Sequence, residues 1–267
     1  MKDKLFDIIK KIRVENPLVH NITNYVVMNF TANALLSVGA SPVMAQAKEE
    51  VIDMVSISKA LVINIGTLSS QWVESMKLAI NRANELKIPV VLDPVGSGAT
   101  KYRTDVVKEF LNSYKIDVIR GNASEIMSIF NSNILTKGVD STLDSSEVVS
   151  CASQISAKFN CIVCISGKDD YIINNNKVAR ISNGHHLMTK ITGMGCVATA
   201  IIGACVAIEK DFMLASSAAT ALIGIAGEIA YENSNGPASM KIKFIDTLYG
   251  INEKEFYKRL KFIEYEI

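Results

Sequence analysis

Lys190-Ile191-Thr192-Gly193-Met194-Gly195-Cys196 opens onto the uncharged run Val197-Ala198-Thr199-Ala200-Ile201-Ile202-Gly203-Ala204-Cys205-Val206-Ala207-Ile208. The run has helical length and no charge, so it reads as a buried helix. The glycines flanking Met194 permit a tight turn and bring backbone N–H groups close to a ligand. The first turn of a helix has unpaired N–H groups and the positive end of the helix dipole. Together these make an anion hole, and phosphate is its usual guest. The plain alternative is a glycine turn ahead of a core helix.

Three glycine-loop chemistries compete for the stretch. A Walker A loop needs Lys-Ser or Lys-Thr after its last glycine, and neither follows Gly195. Gly193, Gly195 and Ala198 fit a dinucleotide fingerprint, but that motif needs a strand after the helix that ends in an acid. Here Glu209 and Asp211 only separate one apolar helix from the next. The third option is a kinase loop that wraps a transferred phosphoryl group, and it depends on the rest of the chain.

Upstream, apolar strands alternate with helices. Leu5, Ile8, Ile9 and Ile12 share one helical face. Pro17–Tyr25 holds a short extended piece that ends in polar groups, and Val26, Val27, Phe30, Asn33 and Ala34 start the next helix, whose N-cap Thr23 or Asn24 suits. Asn24 also has a functional reading, an amide offered to a ligand at a strand end. Strand-like runs follow at Ser41–Ala45, at Ala60–Thr67 ending in Gly-Thr, at Ile88–Asp93 before a glycine-rich turn, at Asp117–Asn122 as a strand and turn, and at Cys161–Ser166, with helical segments between them. Residues 131–145 are polar and receive no element. Asn174-Asn175-Asn176-Lys177 joins two short apolar runs as a β-hairpin, and the chain after the glycine loop reads as mostly helical.

Continuous apolar strands alternating with helices predict a mostly parallel central sheet with helices on both faces. Ligands lie at the carboxyl ends of such strands. Those ends are Asn24, Met44, Gly66-Thr67, Asp93, Arg120-Gly121-Asn122 and Ser166, followed by the glycine loop. Phosphoryl transfer requires positioning and charge neutralisation, and this set supplies a carboxylate, a guanidinium and an anion hole. Asp93 and Glu125 are candidates for Mg²⁺, which takes one or two carboxylates with water and phosphate. Glu125 also suits a plain role at a helix N-terminus. Arg120 can pair with phosphate oxygens.

With 267 residues and 49% hydrophobic content, the chain can bury a large core as a single domain over 1–267. A net charge of +1 supplies no long-range attraction to nucleic acid or an anionic membrane. The apolar runs at Val197–Ile208 and Met213–Ala230 are read as too short or interrupted to span a bilayer. Five scattered cysteines fit a reducing cytoplasm. Cys161 and Cys164 form C-x-x-C within a strand, where residues three apart face opposite sides, which argues against a metal or redox pair.

His20-Asn21-Ile22-Thr23-Asn24-Tyr25-Val26, Gly39-Ala40-Ser41-Pro42-Val43-Met44, Asn64-Ile65-Gly66-Thr67, Leu92-Asp93-Pro94-Val95-Gly96, Gly121-Asn122-Ala123-Ser124-Glu125 and Thr192-Gly193-Met194-Gly195-Cys196 together resemble the hydroxyethylthiazole kinase family. The resemblance runs from about Asn16 to the helices after Cys196. It implies a three-layer, ribokinase-like fold and ATP-dependent phosphorylation of 4-methyl-5-(2-hydroxyethyl)thiazole with Mg²⁺, a step of thiamine salvage. It places Met44 and Gly193 against the thiazole with Asn24, Gly66 and Thr67 nearby. Arg120, Asn122 and Ser166 match nucleotide contacts, and Asp93 and Glu125 match the metal–phosphate region. Gly193, Gly195 and Cys196 match the catalytic loop, with Cys196 beside the attacking hydroxyl. It also implies a homotrimer with the site at a subunit boundary. Other ribokinase-like enzymes carry Asp as base where Cys196 stands. A helix N-terminus can lower a thiol pKa, so Cys196 is read either as a base or as a wall of the anion hole. A hydroxymethylpyrimidine-type kinase and a non-catalytic nucleotide-binding regulatory module are the alternative readings.

Overall fold

The computed structural model describes residues 2–130 and 145–267. All but the last of residues 131–145, the polar stretch given no element, fall outside these. In chain order the elements are α1 (Leu5–Glu15), β1 (Leu18–Ile22), α2 (Met28–Val38), β2 (Ser41–Val43), α3 (Val51–Ile57), β3 (Ala60–Asn64), α4 (Ser70–Leu86), β4 (Val90–Asp93), α5 (Lys101–Ser113), β5 (Val118–Asn122), α6 (Ala123–Phe130) and α7 (Ser145–Phe159). Then come β6 (Ile162–Ser166), β7 (Asp170–Asn174), β8 (Lys177–Ile181), α8 (Met194–Val206), α9 (Phe212–Glu232), α10 (Pro237–Gly250), α11 (Glu253–Arg259) and β9 (Phe262–Glu266).

One sheet runs in the order β2-β1-β3-β4-β5-β6-β7-β8-β9. Its first six strands are parallel and the last three antiparallel. Side chains alternate across it as strand geometry demands. Val62, Val91 and Val118 face a core shared with α1, α2, α8, α9, α10 and α11. Leu61, Ile63, Leu92 and Ile119 face a second core under α3 to α7. Both faces are therefore covered, which is why the strands read as unbroken apolar runs. Cys164 lies in the first core and Cys161 in the second, so the C-x-x-C pair is split by the sheet.

Three expectations change. The helix after β1 starts at Met28 with Val27 as its N-cap and no side-chain cap, so neither Thr23 nor Asn24 caps it. The final strand β9 was hidden in a segment read as helical. Its alternation of Ile263 and Tyr265 with Glu264 and Glu266 is short and mostly exposed, and only pairing with β8 makes it a strand. The helix α9 is long and apolar enough by length and composition to cross a membrane, contrary to the expectation of an interrupted run. Its apolar window is 78% buried inside the protein, as expected of a core helix. The hairpin stands as read, with Asn175 at φ 56° in its turn.

The central helix α8 lies directly on the sheet. A Cβ at Gly203 would come within 2.4 Å of Val62 Cγ2 and 3.3 Å of Val19 Cγ1. Overpacking of this kind costs typically about 1–3 kcal/mol. Gly203→Ala should lower stability by about that much and Gly203→Val by more, measured by urea unfolding. Equal midpoints for the three proteins would show that α8 shifts freely on the sheet.

Candidate active site

The glycine loop is tighter than a free-standing loop. Gly193 has φ 93° and is the N-cap of α8, so the helix begins at Met194 and includes Gly195 and Cys196 in its first turn. The N–H groups of Gly195 and Cys196 thus have no intrahelical acceptor, and the dipole's positive end points into the crevice. A side chain at Gly193 would press on Val27 and Phe30. One at Gly195 would come within 2.8 Å of Arg120 Nη1. The second glycine therefore lets the guanidinium from β5 lie against the head of the helix.

Sheet order sorts the other strand ends. Met44 follows the outermost strand β2, half-buried, and the next residue, Ala45, accepts a hydrogen bond from His20 Nε2 at 2.7 Å. Burial lowers the His20 pKa, so His20 is a neutral core residue. Asn24 comes next, after β1, with 5% of its surface exposed. Its Nδ2 donates to Asn64 Oδ1 at 2.9 Å and to Cys196 Sγ at 3.4 Å. A Cβ on Gly66 would fall 2.6 Å from that nitrogen, so glycine is what permits the amide to sit there. Thr67 Oγ1 accepts from Tyr25 N at 3.3 Å, tying this corner together.

Asp93 ends β4 and is 2% exposed. Its Oδ2 accepts from Asn64 Nδ2 at 2.8 Å and from Thr199 Oγ1 at 2.7 Å. Burial raises its pKa to about 7, assisted by nearby Glu125 and opposed by Arg120 and the two hydrogen bonds. A buried carboxylate that remains hard to ionise beside an arginine is short of positive charge. Two neighbouring acids suffice for a hard cation that keeps water and phosphate among its ligands, so Asp93 and Glu125 fit such an ion. Among the described residues no group of three or more His, Cys, Asp or Glu side chains could hold a metal unaided.

Glu125 is already engaged. Its Oε1 accepts from Gly96 N at 2.9 Å and its Oε2 from Asn122 N at 2.8 Å, while Asn122 Oδ1 accepts from Glu125 N at 2.9 Å. Asn122 and Glu125 thus form a capping box at the head of α6. Ser166 pairs with Asn122 across β5 and β6, and its hydroxyl donates to Gly121 O at a long 3.4 Å. Asp170 accepts from Gly167 N, and burial raises its carboxyl to about 6.

The thiol does not behave as a helix N-terminus alone would make it. Burial and the charge of Asp93 push Cys196 up to about 11, against smaller opposing effects of Asn24, Asn64 and Arg120. The side chain remains a thiol at neutral pH, so of the two readings of Cys196 the base is not supported.

Sequence reading missed Asn64, Thr199 and Arg103. Asn64 was visible as a polar end to an apolar strand, and Thr199 as a hydroxyl one turn beyond Gly195 in an apolar helix. Arg103 gave no such sign. From α5 it donates to Ile65 O and Val95 O at 2.7 Å and to Gly66 O at 2.8 Å, locking the exits of β3 and β4 together.

This crevice belongs to a fold seen in small-molecule kinases. A ribokinase-like superfamily protein from Enterococcus faecalis superposes with a TM-score of 0.69 at 12% identity, over 93% of this chain and 94% of that one. A pyridoxal kinase from Staphylococcus aureus superposes with 0.63 at 15% identity, over 94% and 98%. Sequence is more specific. The model of the hydroxyethylthiazole kinase family matches residues 9–254, and the chain belongs to that family. A hydroxyethylthiazole kinase of Syntrophus aciditrophicus is 49% identical over 96% of this chain and 95% of its own. The structure of hydroxyethylthiazole kinase protein from Pyrococcus horikoshii superposes with a TM-score of 0.92 at 42% identity, over 99% and 100%.

The raised Asp93 pKa carries a stability cost with a definite sign. Between the ordinary value of 3.8 and about 7, the folded protein keeps a proton that the unfolded chain has lost. Stability therefore falls as pH rises through that window, by an amount on the order of 4 kcal/mol. Asp93→Asn should be as stable as wild type near pH 4 and more stable at pH 8, in urea unfolding without nucleotide or metal. Parallel pH profiles for the two proteins would rule out Asp93 as the source.

Proposed function

We propose that this chain transfers the γ-phosphoryl group of ATP to the hydroxyl of 4-methyl-5-(2-hydroxyethyl)thiazole, a step of thiamine salvage. The observation that carries the reading is the flanking of one anion hole by two different sides. Asn24 and Cys196 stand on the side of β1 and β3, and Arg120 lies against Gly195 on the side of β5. An alcohol fits the amide-and-thiol side, and polyphosphate fits the guanidinium side. The hydroxyethylthiazole kinase activity by which the relatives are named is the one this arrangement suits.

The geometry and the family resemblance together support the following residue roles. The N–H groups of Gly195 and Cys196 receive the transferred group, where charge spreads over its oxygens. Arg120 neutralises phosphate from β5. Asn122 and Ser166 border the nucleotide at the ends of β5 and β6. Met44, Gly66 and Thr67 border the thiazole with Gly193. Asp93 and Glu125 would hold Mg²⁺, directly or through water. When bound, that ion screens phosphate charge and orients the oxygens.

A homotrimer with the site at a subunit boundary belongs to the same proposal. Tyr25 and Val26, immediately after Asn24, are 64% and 68% exposed, an apolar edge that a second subunit would cover. Cytoplasmic placement is supported by five free cysteines.

The deciding assay offers purified protein ATP, Mg²⁺ and a panel of small alcohols. The thiazole alcohol should be phosphorylated fastest. A hydroxymethylpyrimidine turned over far faster would replace the reading, and no product at all would favour a regulatory module. A protonated thiol also makes an expectation about Cys196. A loose transition state needs little early deprotonation, and backbone N–H groups survive side-chain replacement. Cys196→Ala should fold and keep measurable turnover, while Gly193→Val, which drives a branched side chain into Val27 at φ 93°, should lose more. Folded Cys196→Ala without activity, beside a near-native Gly193→Val, would make the thiol the essential group.

A further inference from the structure

The hydrogen bonds at the head of α8 have a fixed polarity, and one backbone group sets it. Gly66 N–H can only donate, and it lies 2.9 Å from one end of the Asn64 side chain. That end is therefore the amide oxygen. The same oxygen is 2.9 Å from the Asn24 amide, which must present its nitrogen there. The Asn24 nitrogen also reaches Cys196 Sγ. Its two hydrogens are thus spent, and Asn24 Oδ1 accepts no hydrogen bond among the described residues. At the other end of Asn64, the nitrogen faces Asp93 Oδ2 at 2.8 Å. Asn64 is 1% exposed, so water does not substitute for either contact.

We propose that Asn64 is a positioning residue for the transfer: through it, Gly66 N–H fixes Asn24 with its carbonyl oxygen as the acceptor for the O–H of the substrate alcohol. The proposal rests on the reading that an alcohol is phosphorylated in this crevice. The orientation has a chemical consequence. A hydroxyl that donates to Asn24 Oδ1 keeps its oxygen lone pairs for the phosphoryl group. A flipped amide would donate to those lone pairs and blunt the nucleophile. Asn64 touches no reacting atom, and it acts by denying Asn24 the flip.

The test is a double-mutant cycle with Asn24→Ala, Asn64→Leu and both together, with Asn64→Asp as the variant that keeps the acceptor end. Binding of the thiazole alcohol alone is measured by calorimetry without nucleotide or metal, and KM is measured for alcohol and ATP separately. Asn64→Leu should weaken alcohol binding about tenfold, the scale of one lost hydrogen bond, and leave the ATP KM within about threefold. The double variant should bind alcohol no more weakly than Asn24→Ala alone, since Asn64 acts through Asn24. Asn64→Asp, assayed at about pH 5.5 so that one proton shared with Asp93 replaces the lost amide donor, should keep alcohol affinity within about threefold of wild type, because its other oxygen still receives Gly66 and Asn24. Native alcohol affinity in Asn64→Leu, or additive losses in the double variant, would overturn the proposal. If Asn64→Leu does not fold by circular dichroism, Asn64→Asp decides: a loss of alcohol affinity equal to that of Asn24→Ala overturns it. Wild-type protein that does not phosphorylate the alcohol would instead reject the underlying function.

Discussion

The burial of Asp93 is the constraint on which the site depends. A carboxylate out of water is costly unless it is hydrogen-bonded and near positive charge. Here the donors come from two separate elements, Asn64 at the end of β3 and Thr199 on α8. The charge comes from Arg120 on β5. Satisfying one group thus fixes the mutual placement of three strands and the central helix. The same interactions do not fully offset its burial, and the residual demand for positive charge is what suits the carboxylate to a cation and phosphate.

Close approach is the second requirement. Asn24 can reach Asn64 and Cys196 only because Gly66 has no side chain, and Arg120 can lie on the helix head only because Gly195 has none. These two glycines work by space. Gly193 works by conformation as well, since φ 93° there starts α8 one residue before its free N–H groups. Arg103 supports the arrangement from below by holding the loops after β3 and β4 with three carbonyl contacts. A site built this way has its polarity set by main chain and needs few charged side chains, consistent with a reaction that is mostly positioning.

Much of this was legible in the sequence. The parallel sheet followed from apolar runs that are continuous because both faces are buried, and the crevice followed from the strand ends. Less legible were groups whose role depends on a partner distant in sequence. Glu125 and Asn122 read as metal and nucleotide ligands, yet both are also committed to a capping box, a local motif that the Asn122-x-x-Glu125 spacing already carried. Asn24 read equally as helix cap and ligand amide. The later start of α2 removed the first option, because the turn at residues 25–27 carries the chain away before the helix begins.

Sequence by itself determined the strand–helix alternation, the glycine loop with its apolar helix, and the six short motifs that mark the family. All of these depend on neighbours within a few residues, where periodicity and turn chemistry are written locally. Tertiary structure alone decided that β9 is a strand, since its pairing partner β8 lies some eighty residues earlier in the chain. It also decided the state of Cys196. A helix N-terminus favours a thiolate, but burial and the Asp93 carboxylate, brought to it from β4, favour the thiol and win. Desolvation and through-space charge belong to the folded environment, and no residue carries them in its own spacing along the chain.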